Sequence, residues 1–228
     1  MLGVMFVKIR LLVLLVLAFV PWCIRRHFLV TFFGWQVGQG AWVGFSPILC
    51  DRVVLGAGAR IAAGNVIINL ELLELGGNVR IGRFNWISGA RKNGMVFSGL
   101  KERVSECRIG RDSAVTTRHF LDCSFGVSIG QFSTLAGLRS TVLSHSVDLD
   151  ENRQAGAPVS IGDYCFIGSN CVILSGTCID AKVVVGAGSI LTGKTYEAEH
   201  IYGGAPAKQI KPISESAKYF KREVGFVS

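Results

Sequence analysis

The chain has 228 residues, of which 50% are apolar and only 18% charged, so it can bury one domain core plus an appendage and is not a disordered segment. Its net charge of +8 directs attention to anionic partners, but the Lys and Arg residues are spread along the chain without interleaved aromatics, which excludes nucleic acid. Seven cysteines, an odd number with no CxxC pair, exclude a disulfide scaffold and a zinc cluster and fit reduced thiols in a reducing compartment.

Residues 1–35 read as a membrane-associating segment. Leu11 to Ile24 is an unbroken apolar run with Lys8 and Arg10 before it and Arg25 and Arg26 after it. As a helix it covers about 21 Å, short of the roughly 30 Å hydrocarbon core, and Pro21 breaks or kinks it. No small-x-small cleavage site follows, which argues against a secretory leader. The pattern predicts a re-entrant or interfacial anchor, with Trp22, Phe28, Phe32, Phe33 and Trp35 at the headgroups and Arg25 and Arg26 snorkelling. An apolar helix packed on the protein's own core is the alternative.

Residues 36–196 carry a repeat. Aliphatic side chains recur every six positions at Val37, Val43, Leu49, Leu55, Ile61 and Ile67, then at Leu75, Ile81 and Ile87. The series resumes at Ile109, Val115 and Leu121, at Ile129, Leu135 and Thr141, and from Ile161 through Ile167, Ile173, Ile179 and Val185 to Leu191. A period of six fits neither an amphipathic helix nor a two-residue alternation; it fits short strands joined by sharp turns. Every uninterrupted block is a multiple of three hexads, so three hexads close one triangular coil and the interruptions share one corner. The fold expected is all-β: a parallel β-helix of about seven triangular coils. Gly56-Ala57-Gly58 and Gly186-Ala187-Gly188 lie in register with the hexads and read as turns, not phosphate loops.

The position two before each aliphatic residue is usually small, so larger polar side chains there need a reason. On the middle face that column reads Pro47, Asn65, Asn85, His119, Arg139, Cys171 and Ser189. Asn65, Asn85 and His119 in successive coils form either a hydrogen-bonded ladder or part of an acceptor site, for which Asn85, His119 and Arg139 are the candidates. His145 stands where the regular coil gives way to the insertion Val147–Ser160. That insertion carries Asp148, Asp150, Glu151 and Arg153, any of which can orient the imidazole or touch substrate; Asp148 is grouped with His145 as the catalytic pair. Residues 197–228 form a closing extension with a strand and a short C-terminal helix.

Three stretches resemble the hexapeptide-repeat acyltransferases: Ile161-Gly162-Asp163-Tyr164-Cys165-Phe166-Ile167-Gly168, Val185-Gly186-Ala187-Gly188-Ser189, and Gly204-Ala205-Pro206-Ala207-Lys208. The segment Ala136 to Ser146 is similar to the branch with a catalytic histidine before a protruding loop, many of whose members modify cell-envelope polysaccharides. The resemblance implies a left-handed winding, a homotrimer, and acetyl-CoA or another acyl-CoA as donor substrate with no tightly bound cofactor and no metal. It places Gly168, Gly186 and Ala187 along the coenzyme A groove between prisms, with Lys208 and Lys211 near its phosphates. It implies direct transfer to a hydroxyl or amine of a sugar, with His145 as general base, at the cytoplasmic face of a bacterial inner membrane, the protein being peripheral or monotopic. A non-catalytic β-helix scaffold is the alternative function. A γ-type carbonic anhydrase lacks its close histidine pair here.

Overall fold

In the computed structural model, which describes residues 2–91, 97, 100 and 103–225 and side chains from Ile9 onward, each hexad supplies one short strand. Stacked coil upon coil, the strands make three parallel sheets around one apolar interior. The first sheet has eight strands, the third seven, and the second nine, the ninth being a closing antiparallel strand. Seven complete coils and a partial eighth result. On the first face Leu55, Leu75, Ile109, Ile129, Ile161 and Ile179 align strand by strand, all of them buried. All four interruptions lie at the corner between the third and first sheets: Ile68 to Leu72, Ser88 to Glu106, Asp122 to Val127, and Leu143 to Val159.

Two positions depart from the hexad frame by one residue. Ile48, not Leu49, pairs with Ile67 and points inward; both are aliphatic, so periodicity alone does not choose between them. In the strand Thr134–Leu138 the register shifts, and Gly137, with φ +69°, absorbs the extra residue. Val142 is thereby carried inside against Leu121 and Ile173, and Thr141 turns outward. An aliphatic group replaces a hydroxyl in a dry interior, which is the cheaper burial.

The apolar N-terminus is broken at Pro21 into two helices, α1 (Leu2–Leu17) and α2 (Trp22–Phe33), with Gly34 closing α2 in the left-handed region. No helix among the described residues is long and apolar enough to cross a membrane. In the first coil some carbonyls accept from the second, as Phe45 O does from Gly64 N, while others, Val43 O and Gly44 O among them, face the open end. The helices cover them. Trp22 Nε1 donates to Ala41 O at 2.9 Å, Arg25 donates to Val43 O and Gly44 O, and Arg26 Nη2 donates to Val37 O at 3.3 Å. Arg25 therefore does not snorkel. It is buried, also holds Ala18 O at 2.7 Å, and burial lowers its guanidinium to about 10.

At the other end the strand His200–Gly203 turns into the exposed antiparallel strand Lys208–Pro212. The chain then runs back over the corner between the first and second sheets. There Phe132 and Tyr164 stack at 4.8 Å, Tyr219 donates to Cys165 O at 3.3 Å, and the Arg222 guanidinium lies 3.9 Å from the Tyr219 ring. The closing helix is a single 3-10 turn, Lys218–Lys221.

Candidate active site

The polar column that the sequence frame assigns to the middle face lies where that face turns into the strands of the third sheet, and it is a continuous chain of hydrogen bonds. Asn65 N–H donates to Ser46 Oγ at 3.0 Å, and Asn85 N–H to Asn65 Oδ1 at 2.9 Å. His119 N–H donates to Asn85 Oδ1 at 2.8 Å, Ser140 N–H to His119 Nδ1 at 3.1 Å, and Cys171 N–H to Ser140 Oγ at 3.2 Å. The one-residue shifts put Ser46 and Ser140 in the column where the frame expects Pro47 and Arg139. Asn65, Asn85 and His119 are buried, so neither Asn85 nor His119 faces an acceptor. Because His119 Nδ1 accepts, its proton sits on Nε2 and is given to Thr116 Oγ1 at 2.9 Å. Burial holds this imidazole neutral, down to about 4. Arg139, displaced outward, is exposed at the corner between the second and third sheets, where its N–H bonds to Arg118 O.

His145 has the opposite surroundings. It opens the antiparallel hairpin His145–Asp148 with Arg153–Gly156, which leaves the prism at the interrupted corner. Its ring is partly exposed, while its partner, the carboxylate of Asp122 on the strand Phe120–Asp122, is buried. Asp122 Oδ2 accepts from His145 Nδ1 and, at 3.2 Å, from the His145 backbone N–H. Asp122 Oδ1 accepts from Ser124 N–H at 3.1 Å and Ser124 Oγ at 2.6 Å. A carboxylate offers only acceptors to these donors, so Nδ1 carries a ring proton and Nε2 is the basic nitrogen of the neutral ring. Phe97 meets the imidazole edge to face at 5.9 Å, and Arg103 stacks on Phe97 at 4.6 Å.

Asp148 does not orient His145. It accepts from Glu151 N–H at 3.1 Å and pairs with Arg153 Nε at 3.6 Å, so its carboxylate shapes the hairpin's own turn. Asp122 takes the expected role, and the sequence conceals it because the two partners lie 23 residues apart in different coils.

Gly168 and Gly186 occupy successive coils at the corner between the second and third sheets, with Ala187 beside them. A Cβ on Gly168 would stand 2.7 Å from Ala187 N, so close coil stacking by itself requires glycine there. Lys208 and Lys211 are exposed on the closing strand of the second sheet. One whole face of the prism separates this corner from His145 within a single chain. Beside the His145 hairpin, on the first face, an open groove of about 820 Å³ runs past Arg103, Glu106, Arg108, Phe125 and Pro158.

Residues 158–193 match the family model described as the hexapeptide repeat of succinyl-transferase. Over these residues the chain is similar to the hexapeptide-repeat family. Among its curated relatives are the galactoside O-acetyltransferase of Escherichia coli K12, 30% identical over 120 residues, or 51% of this chain and 59% of the relative. A second, from the same organism and named as a lipopolysaccharide biosynthesis O-acetyl transferase, is 27% identical over 119 residues, covering 52% and 57%. The chain thus spans little more than half the length of either. It shares the left-handed β-helix of a mutant of AntD, an N-acyltransferase from Bacillus cereus solved with dTDP-4-amino-4,6-dideoxyglucose and coenzyme A. The TM-score is 0.54 at 14% identity, over 86% of this chain and 91% of that one.

Proposed function

We propose that the chain is a coenzyme A-dependent acyltransferase, with acetyl-CoA as donor and a hydroxyl or amine of a sugar or envelope-polysaccharide precursor as acceptor. The observation that carries this reading is the His145–Asp122 pair: a buried, fully hydrogen-bonded carboxylate that holds a partly exposed imidazole by Nδ1 and leaves Nε2 without a protein partner in the pair. In the reaction Nε2 takes the acceptor's proton as its oxygen or nitrogen attacks the thioester carbonyl. The carbon–sulfur bond then breaks, and the departing thiolate takes the proton back from Nε2, leaving free coenzyme A and a neutral imidazole. His145 is the catalytic base and Asp122 its positioning residue. The relatives' O-acetyltransferase names and the coenzyme A and amino-sugar nucleotide held by AntD support donor and acceptor class.

A homotrimer completes the site. His145 and the Gly168, Gly186 and Ala187 corner lie on different edges of one prism, so a donor groove between them needs two prisms side by side. The face between these edges shows Trp86 and Phe120 paired and exposed, in line with Thr141, Val172 and Ile190, a strip that a neighbour would cover. Lys208 and Lys211 meet the donor's phosphates in this arrangement. Residues 1–35 attach the enzyme to the cytoplasmic face of the inner membrane as a peripheral or monotopic protein, residues 36–196 are the transferase, and 197–228 close it.

Free-thiol release from acetyl-CoA, measured on the full chain in mild detergent against a panel of sugars and lipid-linked sugars, tests the reading. Release that depends on both acceptor and His145 is expected. No release with any acceptor, or undiminished release by His145→Ala, overturns it.

A further inference from the structure

The α1–α2 hairpin touches the first coil on every side. Arg26 reaches Val37 O, Trp22 reaches Ala41 O, Arg25 reaches Val43 O and Gly44 O, and Arg10 Nη2 reaches Asp51 O at 2.9 Å. These carbonyls are distributed around the triangle, so the hairpin lies across the open end of the prism rather than along one flank. Its inner face, Leu14, Ala18, Leu29 and Trp35, is buried over Val43 and Ile48. Its outer face is apolar and bare: Phe19 is 71% and Phe32 70% exposed, with Leu12, Val16 and Ile24 beside them. The first acidic residue of the whole chain is Asp51, whereas Lys8, Arg10, Arg25 and Arg26 precede it. Arg25 is turned inward and Arg10 leans on Asp51, so the exposed Arg26 and the half-exposed Arg10 are the charges that rim this apolar plate among the described side chains, and a plate rimmed by arginine complements an anionic lipid surface.

We propose that this hairpin is an end plate that seats the prism upright on an anionic bilayer, holding His145 at a fixed height so that it acylates a sugar several units away from the lipid end of a lipid-carried glycan. The proposal rests on the membrane-bound acyl-transfer reading above. The strand Thr141–Leu143, just before His145, is the fifth on the third face counting from Ile48–Leu49 at the plate. Four strand spacings of about 4.8 Å set the histidine roughly 19 Å above the first coil. The plate adds about one helix diameter, ~10 Å, of which ~5–10 Å sinks into the interface. The base therefore stands roughly 20–25 Å from the acyl boundary. A sugar joined directly to a lipid phosphate stays at headgroup level and does not reach it; an outer sugar of an oligosaccharide does.

Orientation is read without reference to activity. Cys23 on α2 is exposed and serves as a native labelling site, and a Cys23→Ser background carries Gln39→Cys in the first coil, Leu149→Cys beside the site, or Gln209→Cys at the far end. The full-length protein is bound to phosphatidylcholine–phosphatidylglycerol vesicles bearing a headgroup quencher. Quenching should fall in the order Cys23, Gln39→Cys, Leu149→Cys, Gln209→Cys. Equal quenching of the last three, meaning a prism on its side, or Cys23 shielded by a second protein copy without vesicles, overturns the seat. In the same vesicles, acetyl transfer to a lipid-linked oligosaccharide should exceed that to a lipid-linked monosaccharide by on the order of a hundredfold, the cost of misplaced reactants. Equal rates overturn the height. A quenching gradient with no thiol release on any acceptor overturns the transfer reading and the acceptor claim with it, whereas transfer without a gradient overturns the upright seat alone.

Discussion

At the scale of single residues His145 and His119 divide cleanly by what surrounds them. His145 keeps a free Nε2 at a partly exposed corner, and His119 spends both ring nitrogens inside the prism. Substituting His145→Ala should lower kcat by about 10²- to 10⁴-fold with little change in KM for acetyl-CoA, since proton transfer is lost and donor contacts are not. Asp122→Asn should approach that loss, again in kcat: an Asn amide turned toward Nδ1 favours the tautomer that puts the proton on Nε2. Steady-state kinetics on both variants checks this, and near-normal kcat in either removes the corresponding role. His145 was legible in sequence because it stands where a strict repeat ends. Asp122 was not, because a hexad frame reports which residues stack but not which polar side chain at a corner turns in to meet an insertion.

His119 gives a pH prediction. Its folded value of about 4 lies below the ordinary ~6.5 of an unfolded imidazole, so on acidification the unfolded chain takes up the proton first. The stability it contributes is complete above about pH 6.5 and is lost as pH falls toward 4, amounting to on the order of 3 kcal/mol. His119→Asn keeps an acceptor at the δ position for Ser140 N–H, as Asn65 and Asn85 do for the coils beside it, and removes the titration. Urea midpoints at pH 7 and pH 4.5 should therefore differ less in the variant than in the parent; equal pH sensitivity would assign the acid lability elsewhere.

At the scale of elements, the hexad count located the seven complete coils, though not the partial eighth, and all four interruptions on one edge, because a side chain facing a narrow triangular interior is aliphatic at nearly every position. The frame failed where that constraint is degenerate. Ile48 and Leu49 fill the interior equally well, and the bulge at Gly137 costs one residue that no apolar pattern records. The cap shows a third kind of failure: Arg25 reads as a snorkelling flank in a chain of apolar residues, yet the open end of a parallel stack presents carbonyls that need donors. Arg25→Ala leaves Ala18 O, Val43 O and Gly44 O without their partner and should destabilise the fold by on the order of 2–4 kcal/mol. Thermal unfolding of the detergent-solubilised protein measures it. An unchanged midpoint would mean that water satisfies these carbonyls equally well.

For the whole molecule, the proposed donor groove between His145 and the glycine corner makes assembly a condition of the proposed activity. A stack of coils has no curvature with which to bring two of its own edges together, so one prism cannot close a donor groove between them; a second prism laid against the third face can. Trp86 and Phe120 lie in the middle of that face, exposed and far from the interior, so charging them alters the contact without emptying the core. The double substitution Trp86→Asp, Phe120→Asp should convert a trimer to monomers by mass photometry in mild detergent, leave the far-ultraviolet circular dichroism of the β-helix intact, and abolish thiol release although His145 and Asp122 are untouched. A variant that stays trimeric would move the subunit contact to another face. A monomer that still turns over would show that one prism holds both donor and acceptor, and would leave the groove of about 820 Å³ beside the His145 hairpin as the place to look for them.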